Sequence, residues 1–593
     1  MAKKPRLPLA KDAELFAPPA LVTRYSELGT PGERRPWWSP VGWLLVAVST
    51  IVLYAVFLVL SPVILAHIAL RRLWARRLRY RRDPERLRIA IVGAGWSGLQ
   101  CLQRLKRIGV TDVDVFERYG EIGGTWSPSL RYHGLQIHGS MTVTSFDGFP
   151  YSDDPDVQGG KVMAEEVERY IARFAKAHDL LGHCRLNSNV DTVDYRSADR
   201  TGVLGITDTR TGERRTTGPY DLVLWASMSA FGEVPHLPGA DVFRGIELHT
   251  TQLSGEAFDD LVSSGRRVIV VGGGKAACDV VLGLRRAGYE NFAWVMRKPY
   301  LFYKFESLLH AASPTDRLRG LTYLATVLWL GLSKRLGAVL HWSSGYLHTF
   351  GDPHLDLTHF HGGVLCATQR RALENIPYEV GDPVAFDAHG LLLADGRRVD
   401  GDAVIWATGN RSGIDTLALT KDGAPFTLDP RAKLYNHFIV PGLPVLASST
   451  ALWTTFGPMR ATNAADLAVY HLCVRGERSE REMQRAADRQ LSSNSIVHSF
   501  IWARGACWLQ QWVYFHIDLM LQGITPIDAF LKHAVEVFVL ARETPLAFNL
   551  LPPTRFLAGD ARRTTTGAGA GRRTSAPRRR VERGKGRSPA PPP

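Results

Sequence analysis

The sequence predicts an α/β fold with two Rossmann-like dinucleotide-binding domains and one N-terminal transmembrane helix. An apolar strand runs into a G-x-G-x-x-G turn at residues 93–98. A second strand and glycine turn follow about 180 residues later, at 272–277. Residues 42–70 are apolar and carry no charge when the one histidine among them is neutral, and this run is long enough to cross a hydrocarbon core of about 30 Å. A buried core helix or a signal peptide is the alternative for that run.

The first glycine turn lies between an apolar strand that ends at Val92 and a helix from about Ser97. Its first glycine permits the tight turn, its second lets the backbone approach a phosphate, and its third lets helix and strand pack closely. Glu117 follows the next strand and is placed to accept hydrogen bonds from a ribose diol. The residues predicted at this first site are Gly93, Gly95, Trp96, Ser97, Gly98, Glu117 and Arg118.

The second glycine turn departs from the first in two ways. Ala277 replaces the third glycine, and the following strand, 292–296, leads into Arg297 and Lys298 rather than an acid. A cation at that place pairs with a 2′-phosphate, which a carboxylate would repel, so NADPH is favoured over NADH. The residues predicted at this second site are Gly272, Gly274, Lys275, Ala276, Ala277, Arg297 and Lys298.

Further motifs follow in a fixed order along the chain. G-G-T-W stands at 123–126, Y-x-x-L at 132–135, F-x-x-F-P at 146–150 and A-T-G at 407–409. Residues 243–253 read F-x-G-x-x-x-H-x-x-x-L. This series resembles the flavin-containing monooxygenases and their Baeyer–Villiger relatives, the class B flavoprotein monooxygenases. Leu253 stands where that family usually has a tryptophan.

The resemblance implies that the first site holds FAD and the second NADPH, with a discontinuous FAD domain into which the NADPH domain is inserted. Gly124, Thr125, Trp126, Thr408 and Gly409 then join the cofactor-binding set. The family's reaction passes hydride from NADPH to FAD and captures O2 as a flavin C4a-peroxide, which inserts one oxygen atom into a lipophilic substrate.

Two residues are catalytic candidates by the same resemblance. Arg297 falls where Baeyer–Villiger enzymes place an arginine near the flavin peroxide. His138 falls where the N- and S-oxidising branch carries an asparagine near flavin N5. The family places a histidine at the position of His249 for domain coupling, and we do not assign His249 a proton-transfer role.

Three alternatives stay open at the level of sequence. The substrate is a ketone or an N- or S-heteroatom. A membrane-anchored flavin dehydrogenase or reductase that does not oxygenate a substrate is the rival activity. A degenerate relative that serves as a scaffold is the third, supported by Leu253 and by the absence of A-T-G at 226–228.

The net charge of +15 is concentrated in two blocks, one at 71–88 and one at 562–587. We interpret them as the flank of the membrane span and a disordered tail, so no nucleic-acid partner is predicted. The arginine excess after the span places the catalytic part in the cytoplasm by the positive-inside rule. The six cysteines form no C-x-x-C pair, and the sequence indicates no metal site.

These patterns divide the chain into eight segments. In order, they are an N-terminal polar segment at 1–41, the transmembrane helix at 42–70, a basic juxtamembrane linker at 71–86, the first part of the FAD domain at 87–228, the NADPH domain at 229–400 with an insertion near 300–365, the second part of the FAD domain at 401–480, a C-terminal helical region at 481–557 and a disordered basic tail at 558–593. Within them, 321–332 and 500–521 are apolar enough for membrane contact, although core packing also explains them.

Overall fold

The structure is a computed structural model. It describes residues 44, 48, 81–137, 145–146, 149, 151, 162–227, 231–232, 234–304, 347–348, 360–374, 376–411, 413–428, 434–435, 438–449, 461–462, 464–465, 468–475 and 478–488. The predictions for the membrane helix at 42–70, apart from two of its residues, and for 321–332, 500–521 and the basic tail lie outside these residues. Among the helices that are described, none combines the length and apolarity needed to cross a bilayer.

The first glycine turn belongs to a five-stranded parallel sheet in the order β23-β7-β1-β2-β3. Its strands are β23 (Leu446–Ser448), β7 (Leu222–Trp225), β1 (Arg88–Val92), β2 (Asp112–Phe116) and β3 (Cys184–Arg185). Strand β1 lies at the centre of this sheet, and all of it except Arg88 is buried. Such continuous burial is typical of a parallel strand that is covered on both faces.

Alternate residues of β1 face two different layers. Ile89 and Ile91 pack with the helices α1 (Trp96–Ile108) and α2 (Ala164–Ala177). Ala90 and Val92 pack against a second sheet on the opposite face. That sheet has the order β22-β21-β4-β5-β6. Its strands are β4 (Ser188–Arg196), β5 (Thr201–Asp208), β6 (Arg214–Tyr220), β21 (Ala418–Lys421) and β22 (Ala424–Pro425).

The second glycine turn belongs to another five-stranded parallel sheet, in the order β15-β11-β10-β19-β9. Its strands are β9 (Ile246–His249), β10 (Val268–Val271), β11 (Phe292–Met296), β15 (Glu379–Val380) and β19 (Ala403–Trp406). Helices α3 (Gly255–Ser263), α4 (Lys275–Arg286) and α5 (Ala367–Glu374) cover one face. The antiparallel strands β16 (Pro383–Asp387), β17 (Gly390–Leu393) and β18 (Arg398–Asp400) cover the other. The α/β, Rossmann-like part of the predicted fold is thus confirmed.

The two parallel sheets, each with its covering layers, are called the first unit and the second unit below. Two chain segments connect them, and short strands in these segments pair with each other, β8 (Phe231–Gly232) with β20 (Asn410–Arg411). Strand β19 belongs to the second sheet, so the chain turns back toward the first unit after Trp406 rather than at residue 401. The remaining described elements are β12 (Leu301–Lys304), β13 (Leu347–His348), β14 (Phe360–Leu365), a π-helix at Tyr470–Arg475 and α6 (Glu480–Asp488).

Candidate dinucleotide-binding sites

The first glycine turn has the geometry that its three glycines predict. Gly93 has a φ of 105°, a conformation that residues with a Cβ rarely adopt. Gly95 precedes the first turn of α1, whose free N–H groups point out of the helix end. A Cβ on Gly98 would lie 1.9 Å from the carbonyl oxygen of Gly93, so only glycine fits there. The turn therefore leaves an anion-binding backbone surface at the start of α1.

The G-G-T-W motif lies directly against this turn. The N–H of Gly123 donates to the carbonyl of Ala94 at 3.0 Å. A Cβ on Gly95 would lie 3.4 Å from the Cα of Gly124, so the two backbones are in contact. Thr125 and Trp126 continue into a short 3-10 helix, and the ring of Trp126 packs edge-on against Trp96. The motif thus forms a second wall beside the glycine turn.

Glu117 fastens the same turn from the end of β2. One carboxylate oxygen accepts the Ala94 N–H at 2.8 Å and the other accepts the Tyr119 N–H at 3.1 Å. The side chain is buried, and this burial raises the pKa of Glu117, against the lowering effect of its backbone donors. A carboxylate has about four lone-pair positions, so Glu117 keeps acceptor capacity for a ribose hydroxyl. The neighbouring Arg118 lies half-buried at the same sheet edge, beside the ring of Tyr119.

Two buried polar atoms beside the first turn have no hydrogen-bond partner within the described part of the chain. They are the indole Nε1 of Trp96 and the hydroxyl of Ser127. Buried polar groups are almost always paired, and an unpaired one calls for an explanation. A bound molecule with hydrogen-bonding groups would pair with both. Together with the close glycine contacts and the acceptor capacity of Glu117, they show that the first site fits a nucleotide.

The second turn repeats the first with different packing. Gly272 has a φ of 139°, and a Cβ there would lie 2.4 Å from the carbonyl oxygen of Ala407. Gly274 precedes α4, as Gly95 precedes α1. Ala277 is fully buried at the position that corresponds to Gly98. The indole N–H of Trp294 donates to the carbonyl of Gly272 at 2.8 Å, a contact that the sequence reasoning missed.

Lys275 and Ala276 begin α4, but the side chain of Lys275 turns inward. It forms a buried ion pair with Asp279, one turn further along the helix. The other carboxylate oxygen of Asp279 accepts the hydroxyl of Tyr132, a residue of the first unit, at 2.9 Å. The i, i+4 spacing of Lys275 and Asp279 was the available sequence signal for this pair. The ammonium group of Lys275 therefore lies in the protein interior, paired with Asp279.

Arg297 and Lys298 follow β11 at the carboxyl edge of the second sheet, as predicted. Arg297 is exposed and Lys298 half-buried. The strand register places Met296 at the position of Glu117, so the carboxylate of the first site has no counterpart at that position of the second. A Cβ on Gly273 would lie 2.5 Å from the ring of Tyr300, which therefore covers the turn. A phosphate beside the end of β11 would therefore lie near two cations, Arg297 and Lys298.

Thr408 and Gly409 lie where β19 leads back toward the first unit. The Gly409 carbonyl is 2.9 Å from Nε2 of His249. The Thr251 N–H donates to Nδ1 of the same ring at 3.1 Å. Because a backbone N–H only donates and a carbonyl only accepts, the ring is the neutral tautomer with its proton on Nε2. A Cβ on Gly232 would overlap the ring, so His249 contacts both connecting segments.

The two catalytic candidates are not brought together within the described residues, because His138 lies outside them. Leu253, which stands in place of the family's tryptophan, is fully buried, and its carbonyl accepts the N–H of His133 at 2.8 Å. The residues that sequence reasoning missed are mainly those that connect the two units. Their contacts join positions far apart in the sequence, and only Asp279 carried a local signal.

Comparison with known proteins shows which proteins this chain resembles. A family model described as flavin-binding monooxygenase-like matches residues 86–300. The FAD-dependent monooxygenase resA of Aspergillus sclerotiorum is 29% identical over 215 residues, which cover 35% of this chain and 37% of the relative. A Baeyer–Villiger monooxygenase of Streptomyces coelicolor is 29% identical over 246 residues, 40% of this chain and 44% of the relative. The FAD-containing monooxygenase EthA of Mycolicibacterium smegmatis is 24% identical over 424 residues, 66% of this chain and 82% of the relative.

The chain spans less than half the length of the first two of these relatives. The matched region contains the first glycine turn, the G-G-T-W motif, His249 and the second glycine turn. The resemblance that the motif series predicts is therefore confirmed.

Proposed function

We propose, from the premise that residues 86–300 are those of a flavin-binding monooxygenase-like protein, that this chain is an FAD- and NADPH-dependent monooxygenase. It inserts one oxygen atom of O2 into a lipophilic small molecule, a ketone or an N- or S-heteroatom compound. The observation that carries the proposal is the pair of glycine turns at the carboxyl edges of two parallel sheets. Two such sites in one chain suit two nucleotides that exchange a hydride.

The first turn supports FAD as its ligand. Gly93, Gly95 and the N-terminus of α1 would hold the diphosphate, and Glu117 would accept the ribose hydroxyls. Trp96 and Ser127 each offer a buried polar atom that a ligand would satisfy. Bound FAD supplies the redox chemistry that activates O2. The side chains of this site bind and orient the cofactor.

An aromatic cluster would exclude water from the first site. Trp96 lies 5.2 Å from the ring of Phe146 and 5.9 Å from that of Tyr170. Phe146 in turn stacks on Phe174, and Trp126 closes the cluster beside the glycine turn. These rings keep a dry surface at the start of α1, and a dry site strengthens electrostatic contacts and suppresses side reactions.

The second turn supports NADPH. The N-terminus of α4 would hold its diphosphate, and Arg297 and Lys298 would pair with the 2′-phosphate. Arg297→Ala is expected to raise KM for NADPH much more than KM for NADH. Arg285→Ala is the matched control, because it removes an exposed cation from the far end of α4. Equal effects of Arg297→Ala on the two coenzymes would remove the 2′-phosphate assignment.

The oxygenation itself is tested with 18O2. The purified full-length protein is supplied with NADPH and a panel of ketones, lipophilic amines and sulfides, and products are examined by mass spectrometry. One labelled oxygen atom per product molecule is the expected result. NADPH oxidation that reduces a dye without any labelled product would instead establish the flavin dehydrogenase or reductase. A purified protein without FAD would favour a scaffold.

We further propose that residues 42–70 anchor the protein in a membrane and that the catalytic part is cytoplasmic. The support is the uncharged apolar run and the arginine excess that follows it. The protein should stay with membranes after alkaline carbonate extraction, whereas a variant that lacks residues 1–70 should be released. A C-terminal tag that protease removes from the outside of intact cells would contradict the cytoplasmic placement.

A further inference from the structure

A short segment between β2 and α2 of the first unit, residues 131–137, contacts the second unit at Tyr132, His133 and Gln136. We call it the strap. The Tyr132 hydroxyl donates to Asp279 at 2.9 Å. The next residue, His133, donates its N–H to the carbonyl of Leu253 at 2.8 Å, and its ring stacks on Phe258 with centroids 4.2 Å apart.

The far end of the strap repeats the pattern. The side-chain oxygen of Gln136 accepts an amide N–H from Gln369 of α5 at 3.0 Å, and both side chains are buried. The strap is also tied to its own unit. The N–H of Arg131 donates to Ser127, directly after the G-G-T-W motif, and the N–H of Ile137 donates to Val162. The strap therefore connects the wall of the first glycine turn to the helices of the second unit.

One polar chain links the strap to the second glycine turn. Lys275 is the first residue of α4 and directly follows Gly274 of the turn. Its ammonium group pairs with Asp279, and the side chains of Lys275 and Asp279 are only 2% and 0% exposed. Asp279 thus shares one carboxylate between Lys275 and Tyr132. Burial, and then the charge of Asp279, raise the pKa of Tyr132 well above its usual value, so the hydroxyl stays protonated and donates.

We infer that Tyr132, Asp279 and Lys275 form a positioning relay that fixes the orientation of the two units and couples occupancy of the second glycine turn to the strap. This inference rests on the proposed function, since it needs a dinucleotide at the second turn. A diphosphate at the N-terminus of α4 attracts Lys275. The positive charge of Lys275 then neutralises the Asp279 carboxylate less completely, and the hydrogen bond from Tyr132 to Asp279 strengthens.

For catalysis, the relay should matter for the relative placement of the two nucleotides and not for how tightly they bind. Hydride transfer between two bound nucleotides depends steeply on their relative placement, and a misplacement of about 1 Å can cost about 100-fold in rate. The relay holds the two units together through groups that touch neither reacting ring. Tyr132 and Asp279 are therefore positioning residues.

Tyr132→Phe tests the relay, because it removes only the hydroxyl. Tyr220→Phe is the matched control, since its hydroxyl also donates to a carboxylate, Asp114, at 2.9 Å but within the first unit. Hydrogen exchange of the full-length FAD-loaded protein is measured with and without NADP+. In the wild type and in Tyr220→Phe, NADP+ should protect both the turn at 272–277 and the strap. In Tyr132→Phe the turn should stay protected while the strap does not.

The kinetic readout is anaerobic reduction of the flavin by NADPH. Tyr132→Phe should lower the limiting reduction rate about fivefold to tenfold, the fold-change expected from loss of one hydrogen bond. The Kd for NADPH and the FAD content should stay within about twofold of wild type. Because Asp279→Asn would leave a buried lysine without its partner, the second variant is Lys275→Met with Asp279→Leu, an apolar pair of similar volume. It should reproduce the rate loss, and adding Tyr132→Phe to it should cost nothing more.

The outcomes distinguish failure of the relay from failure of the proposed function. Equal strap protection in Tyr132→Phe and wild type, or equal losses in Tyr132→Phe and Tyr220→Phe, would overturn the relay and leave the proposed function standing. Absence of NADP+ protection at 272–277 in the wild type would overturn the second nucleotide site, and the relay with it.

Discussion

Gly98→Ala adds one methyl group where the chain has no room for it. The new Cβ would lie 1.9 Å from the carbonyl oxygen of Gly93 and 3.1 Å from its carbonyl carbon. Ordinary contact begins near 3.4 Å, so helix α1 and the glycine turn must move apart by about 1.5 Å. The obstacle is backbone, which cannot rotate away as a side chain can.

The expected loss follows from two opposing effects. Overpacking a core costs about 1–3 kcal/mol, and a backbone obstacle belongs at the upper end of that range. Alanine in a helix gains about 1 kcal/mol over glycine. We therefore expect Gly98→Ala to lower the free energy of unfolding by about 2 kcal/mol. The same displacement pulls the N-terminus of α1 away from the diphosphate, so FAD occupancy should fall as well.

The assay compares Gly98→Ala with two controls, by denaturant unfolding and by flavin absorbance per polypeptide. Gly255→Ala adds a methyl group at the start of α3, where no atom lies within 4 Å, and should stabilise by about 0.4–1 kcal/mol. Ala277→Gly makes the second turn resemble the first and should cost about 1 kcal/mol through helix propensity, with FAD occupancy unchanged. Full FAD occupancy and wild-type stability in Gly98→Ala would refute the reasoning.

Three further predictions concern single contacts of the two sites. Burial raises the pKa of Glu117, and its protonated form cannot accept both ribose hydroxyls, so FAD affinity should increase as the pH rises through a pKa above that of an ordinary glutamate. Fluorescence titration of FAD binding should show a weaker pH dependence in Glu117→Gln. His249→Ala should lower the free energy of unfolding by about 1–3 kcal/mol, because the Gly409 carbonyl loses its donor; an unchanged denaturation midpoint would contradict this. Trp294→Phe should weaken NADPH binding by about 1 kcal/mol through loss of the bond to Gly272, with FAD content as the internal control.

The glycine turns and their strands could be predicted from sequence because their signals are local. An apolar run, a spaced set of glycines and an amphipathic helix fall within thirty residues. The structure ends β1 at the expected Val92 and begins α1 at Trp96, one residue before the expected start. The strap could not be predicted in this way. Its bonds to Asp279 and Gln369 join residues 147 and 233 positions apart, and no periodic pattern marks them.

Lys275 shows a second limit of sequence reasoning. A lysine at the start of a helix behind a glycine turn suggests a phosphate ligand, whereas its i, i+4 spacing from Asp279 suggests an ion pair. The structure pairs it with Asp279 in the interior, because a buried carboxylate needs a compensating charge. Burial is a property of the assembled fold, so the choice between these two partners was not available from the local sequence.

On the proposed function, the differences between the two turns bear on how long each nucleotide stays bound. In the first turn Gly98 lets the helix approach the strand, and Glu117 fastens the turn through the N–H of Ala94. In the second turn Ala277 stands in place of that glycine, and Met296, at the position of Glu117, offers no acceptor. The first turn is thus held closed by the protein itself and is suited to a resident cofactor. The second turn is fastened by the neutral indole of Trp294 rather than by a buried carboxylate, which on the proposed function suits a coenzyme that leaves after each hydride transfer.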